Sequence, residues 1–168
     1  MPWRVIGPKT PAPSTGLLLY WFPSSLQDLK TSSLLRSREL KLYASQCVTM
    51  GIGDSDTPFA LKLPADAKAP MAFLTDPDGA ILGRADADAG GHLDVGKVED
   101  LVGREFRKRE ETVKSQLKEA LELAGSGDKD RAVSLLQSVE QQKCMFPGPA
   151  KRAARELKKL GTKTAQGL

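Results

Sequence analysis

The chain has 168 residues, 40% of them hydrophobic and 27% charged, with a formal net charge of +4. This is the composition of a soluble globular domain, with or without a small appendage, and the length suffices for a real core. It excludes a transmembrane helix, since no apolar run approaches the roughly 20 residues that span a bilayer. Residues 1–91 carry nine basic and nine acidic side chains and residues 92–168 the remaining 16 and 12, so the whole excess lies in the second part. Two regions with different surfaces are expected.

Residues 1–16 hold Pro2, Pro8, Pro11 and Pro13 and read as an extended lead-in, pinned by Trp3 or by Val5-Ile6. Leu17-Leu18-Leu19-Tyr20-Trp21-Phe22, bounded by Gly16 and Pro23, is a strand buried on both faces. Ser24 or Ser25 caps a helix running through Leu29 toward Leu35 and continuing from Arg36 to Gln46. Cys47 to Ile52 is another strand, followed by the polar loop Gly53 to Thr57 and, over 58–68, a loop with a helical turn. Ala69-Pro70 then opens a hairpin with Met71 to Leu74 as its apolar first strand. Pro70 has no N–H to give a ladder, so it belongs at the start of that strand. In Asp76-Pro77-Asp78-Gly79 proline presets the turn and glycine takes the positive φ that closes it; Ala80 to Gly83 returns.

Asp86 to Gly91 is a bend. Val95, Val98, Leu101, Val102 and Phe106 have helical spacing, which runs on through Val113, Leu117 and Leu121, in one helix or restarted near Arg107. Gly125-Ser126-Gly127-Asp128 breaks it, Asp128 or Asp130 caps the next helix, and Pro147-Gly148-Pro149 ends the connection to a basic helix from Ala150 to Leu160. This layout is similar to one tetratricopeptide-type repeat plus a cap.

The order of an aromatic-ended strand (Leu17 to Phe22), a helix, a second strand (Val48 to Ile52) and the Ala69-Pro70 … Asp76-Pro77-Asp78-Gly79 hairpin resembles the thioredoxin superfamily over residues 15–110. The resemblance implies an α/β fold, a thioredoxin-like sandwich of a central mixed sheet with flanking helices, plus a C-terminal helical extension. The domains follow as 1–16, the lead-in; 17–110, the thioredoxin-like domain; and 111–168, a tetratricopeptide-like helical hairpin plus the basic helix. It also implies a cis bond before Pro70 and a peptide-binding groove of Trp21, Pro23, Ser24, Ala69 and Pro70.

The departure from the family lies at its redox site, Cys-x-x-Cys at the start of the first helix. Ser25 and Asp28 stand there, or Ser24 and Gln27 at the alternative offset. Dithiol exchange needs a thiolate of depressed pKa and a second thiol to resolve the mixed disulfide, and a serine hydroxyl does neither. The expectation is a redox-inactive protein-binding or structural module, leaning away from an enzyme, with no catalytic residue, metal or cofactor. The alternative is a weak thiol-disulfide or peroxide-related protein acting through Cys47 or Cys144. These two cysteines are too few and too far apart in sequence for a disulfide framework or a zinc site. The simpler expectation for them is a small buried residue at Cys47 and packing under a turn at Cys144.

The carboxylates Asp54, Asp56, Asp86 and Asp88 lack calcium-loop spacing, and the only histidine, His92, lies in a Gly-rich loop as a solvated side chain. The basic runs Arg104 to Arg109 and Lys151 to Lys159 are interleaved with Glu or Ala, and aromatics are 5% of the chain, which argues against nucleic acid. The expected partner is a protein or peptide of unspecified identity, and oligomeric state is open. The N-terminus lacks the basic-then-apolar pattern of a signal peptide. That fits a cytoplasmic protein if the chain is complete, and a periplasmic or secreted one if a signal peptide has been removed.

Overall fold

The computed structural model describes residues 1–161. Strands Trp3–Val5 (β1), Leu17–Phe22 (β2), Val48–Ile52 (β3), Met71–Thr75 (β4) and Ile81–Asp86 (β5) form one mixed sheet in the order β1-β3-β2-β4-β5. β3 runs parallel to both β1 and β2, and β4 runs antiparallel between β2 and β5. β2 is central because it is the longest uninterrupted apolar run, and a strand covered on both faces admits no charge.

The lead-in contributes to this sheet, where the sequence placed it outside. Trp3 pairs with Met50, stands edge-on to Trp21 with ring centroids 5.5 Å apart, and donates its indole N–H to the Leu34 carbonyl at 3.2 Å. Three residues are too short to show a strand period, so only the burial of Trp3 explains why β1 forms.

The stretch after β2 is cut into three: α1 (Leu26–Thr31), a 3-10 turn (Ser33–Arg36) and α2 (Arg38–Ser45). Each opens on a serine, with Ser25, Ser32 and Ser37 hydroxyls accepting from the N–H groups of Asp28, Leu34 and Leu40. A serine that satisfies those donors restarts the helix, which is why one continuous helix does not form. Together with the start of α3 (Val95–Ser126), the 3-10 turn and α2 cover the sheet face that holds Leu19 and Trp21, burying Leu34, Leu40, Val98 and Leu101. Ser37 Oγ donates to Glu99 Oε1 at 2.6 Å, and a side chain at Gly83 would lie 2.6 Å from Leu101 Cδ1. The other face holds Phe22, Met71 and Phe73 and is covered by a second 3-10 turn (Pro58–Lys62), chiefly through Phe59, with Leu63 and Ala67 beside it.

The Ala69–Pro70 peptide is cis, and Pro70 directly precedes β4. The Asp76–Gly79 turn closes with Gly79 N–H donating to the Asp76 carbonyl at 3.1 Å and Gly79 at φ +87. α3 is one unbroken helix of 32 residues, opened by Asp94 accepting from the Lys97 N–H at 3.0 Å. It is not restarted near Arg107, and it takes in Gly125, ending at the left-handed Gly127.

Asp128 caps α4 (Lys129–Gln141). The last helix, α5 (Pro147–Lys159), begins earlier than expected because Pro147-Gly148-Pro149 is its first turn rather than the connection. Prolines there lack only N–H groups that have no helical partner anyway.

Contacts divide the chain into two units, residues 1–105 and 106 onward, with the division inside α3. The sheet belongs wholly to the first. In the second, α4 and α5 lie against each other, burying Ala132, Leu136, Val139, Ala150, Ala153 and Leu157, and Phe106 and Phe146 meet at 5.0 Å. Among the described residues no helix is long and apolar enough to cross a membrane.

Candidate functional site

β2 ends at Phe22 directly opposite Met71, the first residue of β4, and both side chains face the same way. Above them is an open cleft of ≈ 490 Å³, walled by Pro23, by Gly53 to Ser55 after β3, by Ala60 and Leu61, by Leu63, Pro64 and Ala67, and by Ala69. Its floor is rigid: Phe22 and Phe59 both meet Phe73 edge-on, at centroid distances of 6.5 and 6.1 Å. At the rim Leu61 is 90% exposed. Ala69 is also exposed, and its backbone N–H and carbonyl make no hydrogen bond among the described residues. An apolar floor beside an unpaired backbone donor and acceptor is what an extended peptide can use.

Arg84 holds the cleft's outer wall. From β5 its Nη1 and Nη2 donate to Asp66 Oδ1 and Oδ2 at 3.1 and 2.7 Å, and its Nε donates to Asp86 Oδ2 at 2.9 Å. The hydrogen bond from Arg84, and then its charge, hold the Asp66 carboxyl below its ordinary 3.8. A carboxyl whose pKa is lowered by folding contributes stability above its unfolded pKa and loses it as pH falls through the folded one. Asp66→Asn is therefore expected to lower Tm slightly near neutrality, the pair being solvent-exposed. Parent and variant should converge in acid, once pH has fallen through the lowered pKa of Asp66. Paired thermal melts across that range check it, and equal melting at neutral pH would mean that Arg84 latches nothing.

Ser24, Ser25 and Asp28 serve the start of α1. Ser24 donates to Asp28 Oδ2 through both its N–H (2.9 Å) and its hydroxyl (3.2 Å), while Asp28 N–H donates to Ser25 Oγ (3.0 Å). This is a reciprocal capping box in which the carboxylate reaches one residue further back than usual. Ser25→Ala is expected to cost about 1 kcal/mol, measurable by urea denaturation; no loss would mean that the cap holds nothing. His92 is solvated as expected, its side chain 85% exposed with Nδ1 3.8 Å from Asp88 Oδ1.

The remaining groove residues of the sequence reading separate. Pro23 and Ala69 line the cleft and Ser24 is exposed beside Pro23, but Pro70 is buried behind Ala69. Trp21 is fully buried on the opposite face, against Trp3. Side chains alternate along a strand, so Phe22 is the β2 residue under the cleft. Leu61, Leu63 and Pro64 went unnoticed in the sequence because a short 3-10 turn and loop carry no period.

The two possible thiols, Cys47 and Cys144, are both disulfide-bonded, so neither is a free nucleophile. Cys47 is half-buried with a left-handed φ of 62, and Cys144 is exposed, where packed thiols were expected. Any thiol chemistry at either residue requires prior reduction.

A second cleft, ≈ 300 Å³, lies where Tyr20 stacks on Phe59 (4.3 Å, 8°), beside Lys62 and the Asp76–Gly79 turn. Burial there pushes the Tyr20 phenol up. Among the described residues no group of three or more His, Cys, Asp or Glu could hold a metal ion. No protein-family model matches this chain, and no curated protein is significantly similar to it.

Proposed function

We propose that residues 1–105 are a thioredoxin-like domain without dithiol chemistry, whose function is to bind an extended polypeptide in the cleft beside Ala69. The fold reading is supported by the strand order β1-β3-β2-β4-β5, by a helical segment directly after β2, and by a proline at the head of β4. Ser25 and Asp28 at the head of α1 support the loss of redox chemistry, since both are engaged in capping.

The binding role rests on one observation: the free backbone N–H and carbonyl of Ala69 stand at the edge of an apolar cleft large enough for a bulky side chain. Main-chain hydrogen bonds give such a site affinity, and the cleft gives it selectivity. Peptides selected from a random display library on the immobilised full-length protein test this. They are expected to lose at least about tenfold in affinity on Leu61→Glu or Pro64→Glu, rim changes that leave the core intact. Failure to select any peptide, or peptides indifferent to both changes, would remove the reading. Turnover in an insulin-disulfide reduction assay would instead favour redox chemistry through Cys47 or Cys144.

A further inference from the structure

α5 separates two kinds of side chain. Ala150, Ala153 and Leu157 are buried on one side. At 3.6 residues per turn, Lys151, Arg152, Arg155, Lys158 and Lys159 all fall within about 120° on the other. All five are exposed. The positions three and four residues before and after Arg155 are its neighbours on the helix surface, and every one of them is a cation. Like charges at that spacing repel, so the arrangement lowers the stability of the helix that carries it.

Only Lys158 and Lys159 lie in the last turn, where the helix dipole favours a cation. The acid on this helix, Glu156, is taken by Lys159 at 2.8 Å. Lys151, Arg152, Arg155 and Lys158 make no ion pair among the described residues. Elsewhere in the same unit Lys114 pairs with Glu110, and Arg131 with Glu119 and Asp128.

We infer that the exposed face of α5 is a docking site for a short acidic segment of a partner protein. Charge complementarity and size both select this occupant. From Lys151 to Lys159 the row is about 12 Å long, at 1.5 Å per residue, and matches a run of four or five carboxylates. Arg152 and Arg155 offer planar forks that take a carboxylate through two hydrogen bonds. Duplex nucleic acid is a poorer fit, since strong backbone binding draws on about 6–10 phosphate contacts. The face carries no aromatic side chain to stack a single-stranded base. A bilayer is also a poorer fit, because the apolar side of α5 is already buried and nothing remains to insert.

The test uses the full-length protein and a fluorescent oligoglutamate peptide, followed by anisotropy at low and high salt. A short DNA duplex and phosphatidylglycerol vesicles are run beside it. The peptide is expected to bind at low salt and to weaken at least about tenfold at high salt. Arg155→Gln should weaken binding several-fold while leaving the Tm of the free protein unchanged or raised, because it relieves repulsion. Joint replacement Lys151→Glu, Arg155→Glu, Lys158→Glu should abolish binding, and Leu61→Glu should leave it unchanged, which keeps this site separate from the cleft. Tighter binding of DNA or vesicles than of the peptide would overturn the proposal. So would peptide binding indifferent to Arg155→Gln, or a lowered Tm in that variant, the mark of a purely structural role.

Discussion

Trp21→Ala is expected to cost about 3–5 kcal/mol, a large share of the stability of a domain this size. Trp21 is fully buried, flanked in register by Ile52 on β3 and Ala72 on β4 and met edge-on by Trp3. Truncation would leave a cavity lined by sheet backbone, which cannot collapse into the gap as a loop does. Trp21→Phe isolates the packing contribution. The indole N–H of Trp21 is buried with no hydrogen-bond partner among the described residues, and phenylalanine removes that donor while keeping most of the ring. Its net cost should be about 1 kcal/mol, since the lost volume and the relieved donor oppose each other. Chemical denaturation of the two variants decides the matter: if Phe proved as costly as Ala, hydrogen bonding rather than packing would hold Trp21.

The second large effect is expected at Gly16. Its φ is +86, and an added Cβ would collide with the carbonyl oxygen of Cys47, the acceptor for Leu17 N–H at 3.1 Å. No side chain can swing aside, because the obstacle is backbone. Gly16→Ala therefore combines a left-handed penalty of about 1–2 kcal/mol with a displaced first rung of the β2–β3 ladder, roughly 3 kcal/mol together. Gly125→Ala is the control. Gly125 lies inside α3 with nothing within 4 Å of an added Cβ, so alanine there should stabilise by about 0.5–1 kcal/mol. Equal effects at the two glycines would show that close approach plays no part at Gly16.

What was legible in the sequence follows from where single residues carry the signal. Gly16 and Pro23 bracket β2 to the residue, and Asp76-Pro77-Asp78-Gly79 places the hairpin turn. The apolar spacing from Val95 onward likewise marks α3. β1 was missed because Trp3–Val5 is shorter than any period and lies between prolines. The stretch from Ser24 to Gln46 was read as helix throughout because apolar spacing persists across Ser32 and Ser37, and hydroxyl capping outweighs it locally. The resemblance alone carries Trp21 into the groove, and a strand that is apolar at every position gives no indication of which face each side chain takes. The cleft itself was half visible: Pro23 and Ala69 could be named, whereas Leu61 and Leu63 depend on how the 3-10 turn folds over Phe22.

α1 buries none of its side chains, and Leu26 in its first turn is 75% exposed. Opening it therefore exposes little new apolar surface, and the free energy of that opening should lie far below that of the whole domain. Fraying stops at the 3-10 turn, where Leu34 is fully buried and its carbonyl accepts from Trp3, ahead of Ser37 fastened to Glu99. In amide hydrogen exchange, α1 is expected to lose protection by local fluctuation while β2 exchanges only on global unfolding. Under the proposed binding role, the segment just beyond Pro23 would thus adapt to different sequences beside a cleft floor that does not. Ordering that segment would set an entropic cost on any such binding, which would favour broad recognition at modest affinity over one tight partner.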